Sequence, residues 1–172
     1  YVYGLLHSPD YRETYAADLK KMLPRVPLVT DPWPYIEAGQ RLSELHLGYE
    51  TVQPYPLAGL DDPAPTGDAA YDHFRVEKMT FGKVRDPETK KLVADRSTVV
   101  YNARITLSGI PEDAYRYQLG SRSAIEWILD RYRVKVDGGP KGSGIVNDPN
   151  DWSREVGDPR YIIDLLARIV TV

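Results

Sequence analysis

The residues of this chain best suited to holding a charged partner are cations. Lys78, Lys83, Arg85, Lys90, Lys91, Arg96 and Arg104 crowd one stretch near its middle. Lys and Arg at that density can neutralise phosphates, and either can bond a guanine edge bidentately, as Asn or Gln bonds adenine. Gln118, Ser121, Arg122 and Ser123 form a second polar cluster just ahead of a helical pattern, and backbone donors at a helix start also suit an anion. Lys141, in the glycine-rich run 138–144, is the last candidate of this kind. Each cluster also has a structural reading: charged hairpins protect sheet edges, and serines ahead of a helix cap it.

Other chemistries find little support. The chain has no cysteine, which rules out disulfides and thiolate metal sites. Lys141-Gly142-Ser143 has the wrong order for a phosphate loop, which runs Gly-Lys-Ser/Thr into a helix. His46 and Glu50 stand four apart, as metal pairs on a helix do, but spacing suggests no third ligand, and His7 and His73 are the remaining histidines. Asp61-Asp62 falls among prolines and reads as solvated turn chemistry. No nucleophile–base pair is evident. The expectation is a binding domain with no catalytic residue, metal or cofactor of its own.

The elements that position these residues follow from pattern. Ser8-Pro9 starts a helix whose face carries Tyr11, Tyr15, Leu19 and Met22 or Leu23, and Pro24 and Pro27 end it. Asp31-Pro32 starts a second, with Trp33, Ile36, Leu42, Leu45 and Tyr49 apolar and Gly39 tolerated within it. Prolines 54, 56, 63 and 65 make an irregular crossing between about 53 and 72. The period then changes. Residues 74–81 alternate as a half-buried strand, 86–91 turn, Leu92-Val93 lead into a further strand, and 98–107 form one long β-branched run closed by Ser108-Gly109-Ile110-Pro111. Residues 121–133 return to helical spacing, with Ser123 and Glu126 matching a capping box. A turn-rich run follows at 147–152. Asp158-Pro159 starts a last helix through Tyr161, Ile162, Leu165, Leu166 and Ile169. The pattern predicts an α+β fold, with helices at the N-terminus, middle and C-terminus around a small antiparallel sheet.

Composition bounds the rest. The 172 residues, 42% hydrophobic and 27% charged, suit one globular domain or a compact pair. No apolar run approaches the roughly 18 residues that would cross a bilayer and no signal peptide is recognisable, so a cytoplasmic protein without a membrane partner is expected. Net charge is −3, but residues 1–72 carry 5 Lys and Arg against 11 Asp and Glu, whereas 74–135 carry 13 against 8. A locally basic middle on an acidic whole is compatible with nucleic acid. Thirteen Tyr against two Phe suits partly buried surfaces that keep a polar tip. The opening without Met, inside an amphipathic element, is expected of a piece of a longer polypeptide.

Four stretches carry a resemblance. They are Tyr1-Val-Tyr-Gly-Leu-Leu-His-Ser-Pro-Asp-Tyr-Arg-Glu-Thr-Tyr15 running on to Leu23-Pro-Arg-Val-Pro-Leu28; Gly39-Gln-Arg-Leu-Ser-Glu-Leu-His-Leu-Gly-Tyr-Glu50; Tyr117-Gln-Leu-Gly-Ser-Arg-Ser-Ala-Ile-Glu-Trp-Ile-Leu-Asp-Arg-Tyr132; and Gly144-Ile-Val-Asn-Asp-Pro-Asn-Asp-Trp152. In combination and order they resemble the C-terminal specificity domain of type ISP single-chain restriction-modification enzymes. The resemblance implies a target recognition domain over 1–172. Residues 1–52 would be a helical connection to an upstream methyltransferase core, and 73–172 a mixed sheet and helix part that reads DNA. Such enzymes join nuclease, ATP-driven translocase, adenine methyltransferase and recognition domain, so S-adenosylmethionine, ATP and magnesium would serve the parent elsewhere. Implied partners are double-stranded DNA and the parent's methyltransferase and motor domains. The DNA-contact candidates are Lys78, Lys83, Arg85, Lys90, Lys91, Arg96, Arg104, Gln118, Arg122 and Lys141. One alternative stays open: a coupling module that docks its acidic helical half on other domains without reading bases itself.

Overall fold

The computed structural model describes residues 1–61, 63–138 and 142–172. It divides into two compact units, Tyr1–Tyr49 and Glu50–Val172.

The first unit is helical. Where the sequence predicts one helix from Ser8, the chain forms two short ones, α2 (Pro9–Thr14) and α3 (Ala16–Lys20), and a further helix, α1 (Val2–His7), precedes them. Ser8 is extended at φ −62° and ψ 128°, and Tyr15 breaks the next turn at φ −104° and ψ 19°. Pro9 opens α2 as its N-terminal proline, yet the Ser8 side chain makes no cap bond. The following segment is held by tyrosine tips: the Tyr1 hydroxyl donates to the Pro27 carbonyl and that of Tyr11 to Arg25. Helix α4 (Trp33–Leu47) starts as predicted, with the Trp33 amide donating to Asp31. Gly39 is a requirement rather than a tolerated break. A Cβ there would lie 2.8 Å from the Gly4 amide nitrogen, so Gly4 and Gly39 mark the point where α1 meets α4.

The second unit holds the main core. A short helix α5 (Asp68–His73) precedes a three-stranded antiparallel sheet of β1 (Thr80–Arg85), β2 (Leu92–Val100) and β3 (Thr106–Ser108), with β2 central. The predicted strand at 74–81 is corrected here. Its burial alternates only over 74–77: Phe74 and Val76 are inside, exposed Lys78 breaks the period before buried Met79, and Thr80 and Phe81 already belong to β1. Its backbone pairs elsewhere, though: Val76 N–H donates to Asn150 Oδ1 at 2.8 Å and Val134 N–H to the Glu77 carbonyl at 2.9 Å. The β-branched run at 98–107 is likewise two strands, β2 and β3. Asn102 folds it, accepting the Arg104 and Ile105 amides through Oδ1, both at 2.9 Å.

Beyond the sheet come a 3₁₀ turn (Glu112–Tyr115), a hairpin of β4 (Gln118–Leu119) and β5 (Arg122–Ser123), and helix α6 (Ala124–Arg131). The predicted capping box on α6 is present, with both Ser123 and Glu126 engaged. β6 (Lys135–Val136) pairs with β7 (Val146–Asn147), and the run expected only to turn becomes α7 (Asn150–Glu155). Helix α8 (Tyr161–Thr171) buries Ile162, Ile163, Leu165, Leu166, Ala167, Ile169 and Val170, more than one face, because α6, α7 and the 3₁₀ turn all contact it. The proline-rich crossing is pinned rather than loose. Ala58 bridges to Ser108 on the β3 edge, the Tyr55 amide donates to Ala167, and Leu57 and Leu60 are buried.

Candidate nucleic-acid interface

The pairing of β1 with β2 changes character partway along. Thr80 faces Val100 and Phe81 faces Val99, but Gly82 then faces Asp95, leaving residues 96–98 of β2 looped out. Beyond this slip the third strand is gone. Gly82, Lys83, Val84 and Arg85 pair only with Asp95, Ala94, Val93 and Leu92, forming a two-stranded ribbon closed by residues 86–91. Residues 83–85 and 87–94 are all exposed. Four paired positions span roughly 14 Å of strand.

Gly82 is needed at the slip because a Cβ there would sit 3.0 Å from the Thr98 side chain. The ribbon is braced at both ends. At the tip, Asp86 Oδ1 accepts the Thr89 amide at 2.6 Å and the Glu88 amide at 3.0 Å, and Lys90 takes the left-handed conformation at φ 58°. Those bonds, the Thr89 amide first, hold the Asp86 carboxyl below its ordinary pKa. At the base, Asp95 Oδ1 accepts the Ser97 hydroxyl at 2.6 Å and the Ser97 amide at 3.0 Å, and is lowered for that reason. Beneath the slip, the Tyr115 hydroxyl donates to the Arg96 carbonyl at 2.6 Å, and the Arg96 guanidinium lies 4.0 Å from the Tyr115 ring centroid. Burial pushes the Tyr115 phenol up to about 12. Arg96 also bonds Glu126 at 3.2 Å. Glu126 in turn caps α6, and the Ser123 amide holds its carboxyl below the usual range. The direction in which the ribbon leaves the sheet is thus set by a chain of contacts reaching back to α6.

The predicted contact residues fall into distinct settings. Lys83, Arg85, Lys90 and Lys91 stand on the ribbon; of its three acids, Asp86 and Asp95 at the ends are engaged by the bonds above, and Glu88 lies exposed in the turn. Lys78 and Arg104 line an open groove of about 470 Å³ with Asp72, Arg75, Val100 and Asn102. Arg104 there donates to the Asp72 carbonyl at 3.0 Å. Arg75 was not among the expected cations, although its place between buried Phe74 and Val76 put it on the outer face. It pairs with Asp148. Arg96 is the clamp described above. Gln118 donates to the Tyr115 carbonyl at 2.6 Å, and Arg122 pairs with Asp130 at 3.4 Å beside the Trp127 ring. Lys141 lies outside the described residues. Among the described residues no three His, Asp or Glu side chains gather as a metal site would require, and no helix is long and apolar enough to cross a membrane.

Comparison with known proteins agrees with this architecture. The chain is 38% identical to the ATP-dependent type ISP restriction-modification enzyme LlaBIII solved bound to DNA, with a TM-score of 0.74 over 99% of this chain and 10% of that one. It is 41% identical to a nuclease-deletion mutant of the type ISP enzyme LlaGI, solved with a DNA substrate mimic, with a TM-score of 0.74 over 99% of this chain and 12% of that one. A DrdV–DNA complex solved by cryo-electron microscopy is 36% identical, with a TM-score of 0.65 over 99% of this chain and 16% of that one. The chain therefore spans a small part of each relative's length. A search of the curated proteins finds no match. The family model of the type ISP C-terminal specificity domain matches residues 1–165, and the chain belongs to that family.

Proposed function

We propose that this chain recognises a sequence in double-stranded DNA on behalf of a larger type ISP-like restriction-modification polypeptide. The observation that carries the reading is the ribbon of β1 and β2. It is uncovered on both faces, braced at base and tip, and furnished with four cations. The major groove of B-DNA, about 12 Å wide and 8.5 Å deep, admits a two-stranded β-ribbon of this size. Phosphate contacts fix the register of such a module on the duplex, and a few side chains reaching base edges supply specificity. The relatives solved with DNA support the reading.

In the parent, recognition would position a target adenine for methylation, the base being flipped into a pocket on another domain. An unmodified site would license ATP-driven translocation and cleavage. S-adenosylmethionine, ATP and magnesium would bind those other domains, in the cytoplasm. The first unit, residues 1–49, serves as the connection to the methyltransferase core. Its exposed Met22, Leu28, Trp33 and Leu47 supply apolar surface for that contact.

The test is duplex binding by the protein as salt is varied. Replacing Lys83, Lys90 and Lys91 by Ala should weaken binding at low salt. It should also flatten the dependence of log affinity on log salt by about one unit for each phosphate no longer neutralised. Unchanged affinity and slope with the fold intact would remove the ribbon from the interface.

A further inference from the structure

We propose that Arg85 is the guanine-reading, specificity-determining residue of this domain, while Lys90 and Lys91 at the turn make phosphate contacts that carry no sequence information. This rests on the reading of the chain as a DNA-recognition domain and assigns roles within it.

The register defines two faces of the ribbon. Lys83 and Arg85 share a face with Ala94 and Leu92, their cross-strand partners. Val84, Val93, Gly82 and Asp95 occupy the opposite face. Base edges in the major groove offer acceptor pairs on guanine and a methyl on thymine, which Arg and small apolar side chains match. The face with Lys83, Arg85, Ala94 and Leu92 has that chemistry. The opposite face presents the Asp95 carboxylate and carries no arginine; its one cation, Lys91, stands at the turn, where its carbonyl accepts the Asp86 amide at 2.9 Å.

Arg85 differs from the other arginines of the second unit in how it is held and where it stands. Among the described residues, Arg75, Arg96, Arg116, Arg122, Arg133 and Arg160 form ion pairs. Arg104 is turned onto the Asp72 carbonyl, and Arg154 and Arg131 lie over the rings of Tyr71 and Trp127. Arg168, on α8, has its Nε buried. Arg85, like Arg104, is oriented by one neutral bond, Nη1–H to the Lys90 carbonyl at 2.9 Å across the ribbon's own turn, but Arg104 sits in the groove with Asp72 and Glu77, whereas Arg85 stands on the uncovered ribbon. Its charge is not cancelled, its side chain is stiffened, and a guanidinium has further N–H donors in a fixed fork. A fork held in this way loses less freedom on binding than a lysine does. The Lys90 carbonyl is placed for this bond by the left-handed turn residue, so the tip geometry serves the orientation of Arg85. Lys90 and Lys91 carry flexible ammonium groups at the turn, suited to phosphate as point charges.

The experiment is selection of binding duplexes from a randomised pool, followed by competition titrations, with the wild-type protein, Arg85→Ala and the pair Lys90→Ala and Lys91→Ala. The proposal expects wild type to select a motif containing a guanine whose preference falls about 10- to 100-fold in Arg85→Ala, other positions holding. The lysine variants should select the same motif with a flatter salt dependence. If Arg85→Ala keeps the full motif while its melting temperature is unchanged, the proposal is overturned and DNA recognition by this domain still stands. If the wild-type protein itself selects no motif, both this assignment and the recognition reading fail. Arg85→Lys controls for charge: it should lower guanine preference while keeping the wild-type salt slope, whereas an Arg85→Ala variant that keeps the motif and loses a full unit of salt slope would mark Arg85 as a phosphate contact and overturn the proposal.

Discussion

Asn150 and Arg96 show what single residues do in this domain and how far each was visible beforehand. Asn150 is buried, accepts the Val76 amide at 2.8 Å and donates to the Val76 carbonyl at 2.7 Å, closing a contact across 74 residues of sequence. Nothing in the run Asn147-Asp-Pro-Asn-Asp marks the second Asn as different from the first, because its partner is set only by tertiary packing. Asn150→Ala leaves two buried backbone groups unpaired and should lower stability by about 3 kcal/mol, read by urea unfolding. A loss under about 0.5 kcal/mol would place it with ordinary surface substitutions. Arg96 was readable as a cation and nothing more. Charge alone suggests a phosphate ligand, whereas Tyr115 beneath it and Glu126 beside it make it the clamp at the ribbon's base. Arg96→Ala should therefore speed amide exchange across residues 82–95, an effect that Lys90→Ala should not share.

Among the elements, the helices were more legible than the strands. The capping box of α6 and the proline-marked starts of α2 and α4 depend on residues adjacent in sequence, so local pattern suffices. The sheet depends on partners far apart. Alternation at 74–81 matches burial only as far as Glu77, and cannot say that the backbone there bonds Asn150 and Val134 rather than a strand. The three-residue slip at 96–98 has no local signal apart from Gly82. In the first unit, Gly39 looked like a flaw in α4 and is its contact point with α1. Gly39→Ala forces backbone apart where the two helices touch, and should cost about 1–3 kcal/mol, exposing α1 to proteolysis while the second unit keeps its protection. The same helix pair should respond to pH. His46 bonds the Tyr3 hydroxyl, and burial first, then the nearby His7, lowers its pKa below 6.5. A depressed histidine contributes stability above its unfolded value and loses it as pH falls through the folded one. Exchange protection in α1 and α4, corrected for the intrinsic rate at each pH, should thus fall as pH drops from about 7.5 to about 5, and His46→Gln should remove that response. Identical protection at both values in the unmodified protein would contradict it.

For the whole molecule, the sequence pattern carried the α+β class, the acidic start and the basic middle. It did not separate cations that face outward from those consumed by the protein, because that division depends on which acids and rings fold against them. The ribbon that results is an exposed, partly apolar hairpin with no protein cover, an arrangement that soluble proteins usually avoid unless the edge has a partner. Its direct test is lysine acetylation of the protein, free and saturated with duplex DNA at low salt, with each site quantified by mass spectrometry. The account predicts that Lys83, Lys90 and Lys91 become protected while Lys20 and Lys21 on the first unit react as before. Ribbon lysines that react equally fast with and without bound duplex would contradict it.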